Sequence, residues 1–251
     1  MSKNLKLKIL LIINLILSSL QIDSSKVIII SFSKSGNTQI ISDYINKSTK
    51  ITLYNIKPKN SYPSSYDETL KIAENEQNTN ARPEIDNPLT DISNYDIILL
   101  GYPLWYGHLP NIVVTQLELL DLENKEIYPF NTHGSSGISN SVNDIKKYAS
   151  DANVHNGFPI KGSDAKSGNS NVKTQVNNWL NNNIGINIVE DDPEENIIND
   201  DSEDKNDDPK ENILNDDSSN DNSNEINLYI YDDSSYLYLN NLFLILLLII
   251  D

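Results

Sequence analysis

Residues 26–32 read KVIIISF, and SKSGN follows at 33–37. Val and Ile run unbroken up to Ser31, with no alternation of polar and apolar positions. That pattern fits a strand buried on both faces, as in a parallel sheet covered by helices. The small polar stretch ends the strand. Residues 38–46 then place Ile40, Ile41, Tyr44 and Ile45 at helical spacing.

Working outward, the same strand–loop–helix unit recurs. ITLYNI (51–56) reads as a second strand and 66–76 as a polar helix. DIILLG (96–101) is a third buried run. Pro110 is placed as a first-turn proline of a helix bearing Ile112, Val113, Leu117, Leu119 and Leu120. EIYPF (126–130) reads as a fourth strand, 133–139 as a Gly/Ser loop and 141–148 as a helix. A weak fifth strand falls at 153–160, and a helix at 172–183 closes the alternation. Strands and helices in turn, with short connections, predict an α/β fold: a doubly wound, five-stranded parallel sheet.

In such a sheet, ligands bind beyond the carboxyl ends of the strands, near the switch point. Three loops fall there. The first holds Ser33, Lys34, Ser35, Gly36, Asn37 and Thr38. Hydroxyls, an amide and a glycine run into a helix N-terminus, which suits a phosphate; the same residues also suit a plain helix cap. No G-x-x-x-x-G-K-[ST] or G-x-G-x-x-G pattern accompanies it. The second loop holds Pro103, Leu104, Trp105, Tyr106 and Gly107. Its aromatic faces suit a flat heteroaromatic ring or a packed apolar lid. The third holds Thr132, His133, Gly134, Ser135, Ser136 and Gly137, with backbone N–H groups and an imidazole to wrap a ring edge. Together the loops describe a mononucleotide site with a large planar ring. No Ser–His–Asp order or paired carboxylates lie in them, which leaves a hydrolase without support.

Charge delimits the folded body. The net charge is −17, yet residues 1–189 hold 17 basic and 17 acidic side chains, so 190–251 carry all of it. A neutral body argues against sequence-independent nucleic-acid binding. The chain has no Cys, which excludes disulfides, thiol catalysis and Cys-held metal clusters. Three His make a multi-histidine metal site unexpected, and no metal is expected.

The ends differ from the body. Lys3, Lys6 and Lys8 precede an apolar stretch at 9–17, the pattern of a secretory signal peptide, assigned to 1–25. Residues 190–235 read as an acidic spacer, disordered by composition over 190–227. It contains a duplication, DDPEENIINDD (191–201) and DDPKENILNDD (207–217). Residues 236–251 form an apolar tail too short to span a bilayer. Behind small polar residues, it resembles a GPI-attachment signal with Asp232, Asp233, Ser234 and Ser235 as candidate sites. The expected location is secreted or at the cell surface, with membrane attachment through the tail.

Over about 26–180 the chain resembles flavodoxins, in particular flavodoxin-like proteins with a Y-P-x-W-x-G loop. The matching segments are VIIISFSKSGNTQIIS (27–42), SYPSSYDETLKIAENEQ (61–77), ARPEI (81–85), YDIILLGYPLWYGHLP (95–110) and FNTHGSSGISNSVNDI (130–145). The resemblance implies strand order 2-1-3-4-5 and bound FMN. By position, Ser33, Ser35, Gly36, Asn37 and Thr38 fall where the family holds the phosphate, with Lys34 beside them. Residues 103–107 fall beside the isoalloxazine, with Trp105 as the stacking residue, and 132–137 form the second flavin loop. The function so implied is electron transfer through the flavin. Alternatives are an NAD(P)H- or quinone-dependent flavin oxidoreductase, with His108, His133 or Tyr106 lining a second-substrate pocket, and a surface-displayed domain with little redox activity. The redox partner is unknown from sequence.

Overall fold

A computed structural model describes residues 22–186 and 188, together with 6, 8 and 9. The acidic spacer and apolar tail lie outside the described residues, as does most of the signal segment. Of the latter, Ile22 packs against the core, and the Asp23 side chain accepts from the Ser25 N–H at 2.9 Å to cap a short 3-10 turn, Ser24–Lys26.

Among the described residues six strands form the sheet: β1 (Val27–Ser31), β2 (Thr52–Asn55), β3 (Ile97–Pro103), β4 (Glu126–His133), β5 (Asn153–Val154) and β6 (Phe158–Lys161). All pair in parallel, in the order β2-β1-β3-β4-β5, with β6 continuing the β5 position along β4. The five-position sheet and its order agree with the sequence reading. The helices are α1 (Asn37–Thr49), α2 (Tyr66–Thr79), α3 (Asn111–Glu118), α4 (Ser141–Tyr148), α5 (Gly162–Ser167) and α6 (Ser170–Ile184).

Strand periodicity divides the core into two layers. Ile28, Ile30, Ile98 and Leu100 pack with Ala73 of α2, Ile112, Val113 and Leu117 of α3, and Ile145 of α4. Val27, Ile29, Leu99 and Phe130 face the other way, onto Ile41 and Ile45 of α1 and Val172, Val176 and Leu180 of α6. The chain therefore leaves β1 toward one face and β3 toward the other. Their following loops diverge and open a crevice between them.

Three details differ from expectation. Pro110 is the N-cap of α3 and not a first-turn residue; its ψ of 136° is extended, and its carbonyl accepts from the Val113 and Val114 N–H groups. β4 runs on through Asn131, Thr132 and His133, so the latter two end a strand and do not open a loop. The polar character of Asn131 hides this in the sequence: it is fully buried, and its amide donates to the Gly137 carbonyl at 3.0 Å. The fifth strand is split, and Pro129 accounts for the gap. Lys125 and Ile127 turn their carbonyls to β5, accepting from the Asn153 and His155 N–H groups. Alternation aims Pro129 at the same edge, where it has no N–H to donate. Pairing resumes at Phe130↔Phe158 with one extra residue on the outer strand.

Candidate functional site

The ends of β1, β3 and β4 and one stripe of α2 enclose a cleft of about 480 Å³. Lys34 and Ser35 come from the first loop, Pro103, Leu104, Trp105, Tyr106 and Gly107 from the second, and Gly134, Ser135 and Ser136 from the third. The structure thus brings the three predicted loops to one place. The α2 contribution is Tyr66, Thr69, Leu70 and Ala73. Sequence reasoning missed it, although the spacing i, i+3, i+4, i+7 is a legible helical stripe.

The first loop is short of partners. Gly36 is the N-cap of α1 in the left-handed region (φ 90°) and offers no side-chain cap. The first backbone bond of the helix is the one that the Ile40 N–H donates to the Gly36 carbonyl, at 3.0 Å. The N–H groups ahead of it point out of the helix end, where an anion is favoured. The Ser33 hydroxyl is buried and has no hydrogen-bond partner among the described residues. A buried donor without a partner is costly, which marks this as a place for a ligand's acceptor oxygens. Lys34 donates to the Ser64 carbonyl at 3.0 Å, on the cleft's rim. Thr38 lies below the loop, 1 % exposed, with its hydroxyl 2.7 Å from that of Thr132. That pair ties α1 to the end of β4.

The second loop is bonded along most of its length. Trp105 and His108 exchange backbone hydrogen bonds (3.2 and 2.9 Å) across Tyr106 (φ 50°) and Gly107 (φ 79°). Two central residues with positive φ make a type I′ turn, which glycine relieves. The Gly107 carbonyl accepts from the Asn140 N–H at 3.0 Å, and the Leu104 N–H donates to the Thr132 carbonyl at 2.8 Å. Trp105 is 9 % exposed, its ring edge-on to Phe32 (5.5 Å) and Tyr62 (5.0 Å). Tyr106, half exposed, and Tyr66, more so, stand at the mouth.

His133 and His108 do not line this cleft. The His133 Nδ1 is buried without a partner among the described residues, and burial first, then Lys161, hold its imidazole below the ordinary value. His108 binds Asp144 through Nδ1 at 3.0 Å and lines a neighbouring cleft of about 320 Å³ with Lys147 and Tyr148. Of the three residues expected for a second-substrate pocket, only Tyr106 faces the main cleft.

An anion seat beside a narrow, aromatic-walled cleft is what a phosphorylated planar ring needs. A family model described as Flavodoxin matches residues 26–183. No curated protein matches the chain. Among solved structures, a Bacteroides eggerthii DSM 20697 protein described as a flavoprotein is 29 % identical, with a TM-score of 0.53, over 62 % of this chain and 96 % of that one. One from Bacteroides uniformis ATCC 8492, likewise described, is 25 % identical with a TM-score of 0.52, over 60 % and 99 % respectively.

Proposed function

The chain belongs to the flavodoxin family, and from that premise we propose that it binds FMN and carries electrons through the bound flavin. The observation that supports this best is the buried, partnerless Ser33 hydroxyl beside the uncapped start of α1. These groups fit a phosphate: Ser33 and Ser35 donate O–H, and the first amides of α1 donate N–H toward it. Gly36 leaves the approach open, since a Cβ there would meet nothing within 4 Å.

Bound FMN supplies reversible one- and two-electron chemistry. The protein's part is orientation and water exclusion. Trp105 and Leu104 wall one side of the cleft, and Tyr66 and Tyr106 shield its mouth. Gly134, Ser135 and Ser136 complete the lining. An apolar wall disfavours added negative charge on a ring, which lowers the tendency of the site to hold the fully reduced, charged form.

The test is the visible spectrum of the full-length protein purified with its native cofactor, then titration of the stripped protein with FMN and riboflavin. Yellow protein with a strong preference for FMN supports the reading; indifference to the phosphate removes it. Steady-state oxidation of NAD(P)H with a quinone acceptor separates the oxidoreductase alternative from electron carriage.

A further inference from the structure

Behind the aromatic wall of the cleft sits a buried carboxyl group that does not line it. Glu76, on the last turns of α2, is 8 % exposed. Its two carboxylate oxygens share one donor, the Tyr62 hydroxyl, at 3.1 and 3.2 Å. Among the described residues no ion pair holds it. The charged groups around it are engaged elsewhere. Arg82, after α2, donates to Glu118 of α3 at 2.6 and 2.8 Å, and Glu84 pairs with Lys59 at 2.9 Å. What α3 itself offers is neutral and goes to the main chain: the Asn111 amide donates to the backbone carbonyl of Glu76 at 2.7 Å.

Burial holds the Glu76 carboxyl above its ordinary value, and the Tyr62 hydrogen bond opposes this only in part. Burial also pushes the Tyr62 phenol up, so it remains a donor. An acid raised in the folded state binds more protons there than in the unfolded chain. Its contribution to stability therefore falls as pH climbs from the unfolded value through the folded one. At neutral pH an ionised Glu76 is a net loss of stability, and a glutamine would accept from Tyr62 without it.

What the charge provides lies one ring away. Tyr62 packs edge-on against Trp105 and tilted against Phe32. Gln77, the next residue of α2, donates to the Trp105 carbonyl at 3.0 Å. Two adjacent helix residues thus hold one loop, Gln77 by its backbone and Glu76 through Tyr62 by its ring. We propose that Glu76 and Tyr62 are positioning residues: the carboxylate orients the Tyr62 hydroxyl, the Tyr62 ring fixes Trp105, and the cleft grips its flavin more tightly when Glu76 is ionised. This rests on the flavin reading of the cleft.

The test uses the full chain. Trp105 emission in the flavin-free protein is followed from about pH 4, below the ordinary glutamate value, to about pH 8, taken as the parent's signal minus that of Trp105→Phe. It should titrate in the parent and stay flat in Glu76→Gln and in Tyr62→Phe. Riboflavin and FMN affinities are measured over the same range. The parent should bind riboflavin about five-fold more tightly at the upper end, the difference between a charged and a neutral acceptor, and Glu76→Gln should show no such change. Ionisation of the FMN phosphate near pH ~6 is common to both proteins and absent from riboflavin. A titration that persists in Glu76→Gln, or a pH-independent parent, overturns the proposal. If the parent takes up no flavin, the flavin reading fails, while Trp105 emission that titrates through Glu76 still upholds the positioning pair. Flavin uptake with pH-independent emission does the reverse. Should Glu76→Gln fail to fold, Tyr62→Phe makes the same comparison.

Discussion

The loop after β1 and the loop after β3 face each other across one cleft, and they are held in opposite ways. In the β3 loop nearly every group has a partner inside the protein: a closed turn, the Gln77 amide, the Asn140 N–H and two aromatic rings around Trp105. In the β1 loop a helix begins without a side-chain cap, and a buried hydroxyl has no partner among the described residues. The first arrangement is finished before any ligand arrives; the second is completed by one. Substitutions in the β3 loop should therefore strike stability first, and substitutions in the β1 loop should strike ligand binding first.

The largest effect is expected at Trp105. Removing a buried indole from between Phe32 and Tyr62 leaves a cavity, and Trp105→Ala should cost about 3–5 kcal/mol of stability. The flavin-free protein should melt about 10 °C lower. A melting temperature within a degree or two of the parent would show the ring to be a ligand surface only, and the contrast between the loops would collapse.

Next is the serine pair. Ser33→Ala with Ser35→Ala should weaken FMN by about 3 kcal/mol, on the order of 100-fold, as two hydrogen bonds to a charged acceptor are lost. Riboflavin should change little. Ser33→Ala alone should stabilise the flavin-free protein by about 1 kcal/mol, because a buried, partnerless hydroxyl disappears. Calorimetry with both ligands and a melt of the stripped protein read the two signs separately. A loss of apo stability would mean that this loop too is finished without a ligand.

A smaller effect sharpens the same comparison with two glycines. Both have positive φ, which an alanine resists at about 1–2 kcal/mol. At Gly36 the added Cβ meets nothing within 4 Å, whereas at Gly107 it comes within 2.8 Å of the Ser139 hydroxyl. Gly107→Ala should therefore be the more destabilising in denaturant melts, by about 1 kcal/mol. Equal losses would mean that Ser139 rotates away freely.

The contrast also explains what the sequence shows and what it hides. β1 and β3 are legible because burial on both faces writes an unbroken apolar run. The first loop is legible because a ligand seat needs small residues, hydroxyls and a glycine in one short stretch. What braces the cleft is not. Tyr62 and Glu76 lie fourteen positions apart in polar segments, and only tertiary packing brings a hydroxyl to a carboxylate. Asn131–His133 read as loop because strand-end side chains that bond back to loops are polar. The break between β5 and β6 was written in Pro129, but which edge a strand residue faces is known only once its neighbours are placed.

The smallest expected effect concerns pH, and it joins the third loop to the brace behind the second. His133 ends β4 with Nδ1 buried and unpaired, and burial first and Lys161 second hold it below its ordinary value of 6.5, with Asp164 opposing. Below 6.5 the unfolded chain takes up a proton that the folded imidazole still refuses. Its contribution to stability is therefore complete above 6.5 and is lost as pH falls from there to the folded value. Glu76 has the opposite sign, its contribution falling as pH rises. Melting curves of the flavin-free parent minus His133→Gln should thus rise from about pH 5 to 7, while parent minus Glu76→Gln should fall over the same range. The His133 slope should be shallow, because the ring is only partly buried and solvent offsets much of the penalty. If both difference curves slope the same way, one of the two groups is held by a charge partner and not by burial. A flat His133 curve alone would mean that the imidazole is solvated in solution and that its unpaired nitrogen reaches water.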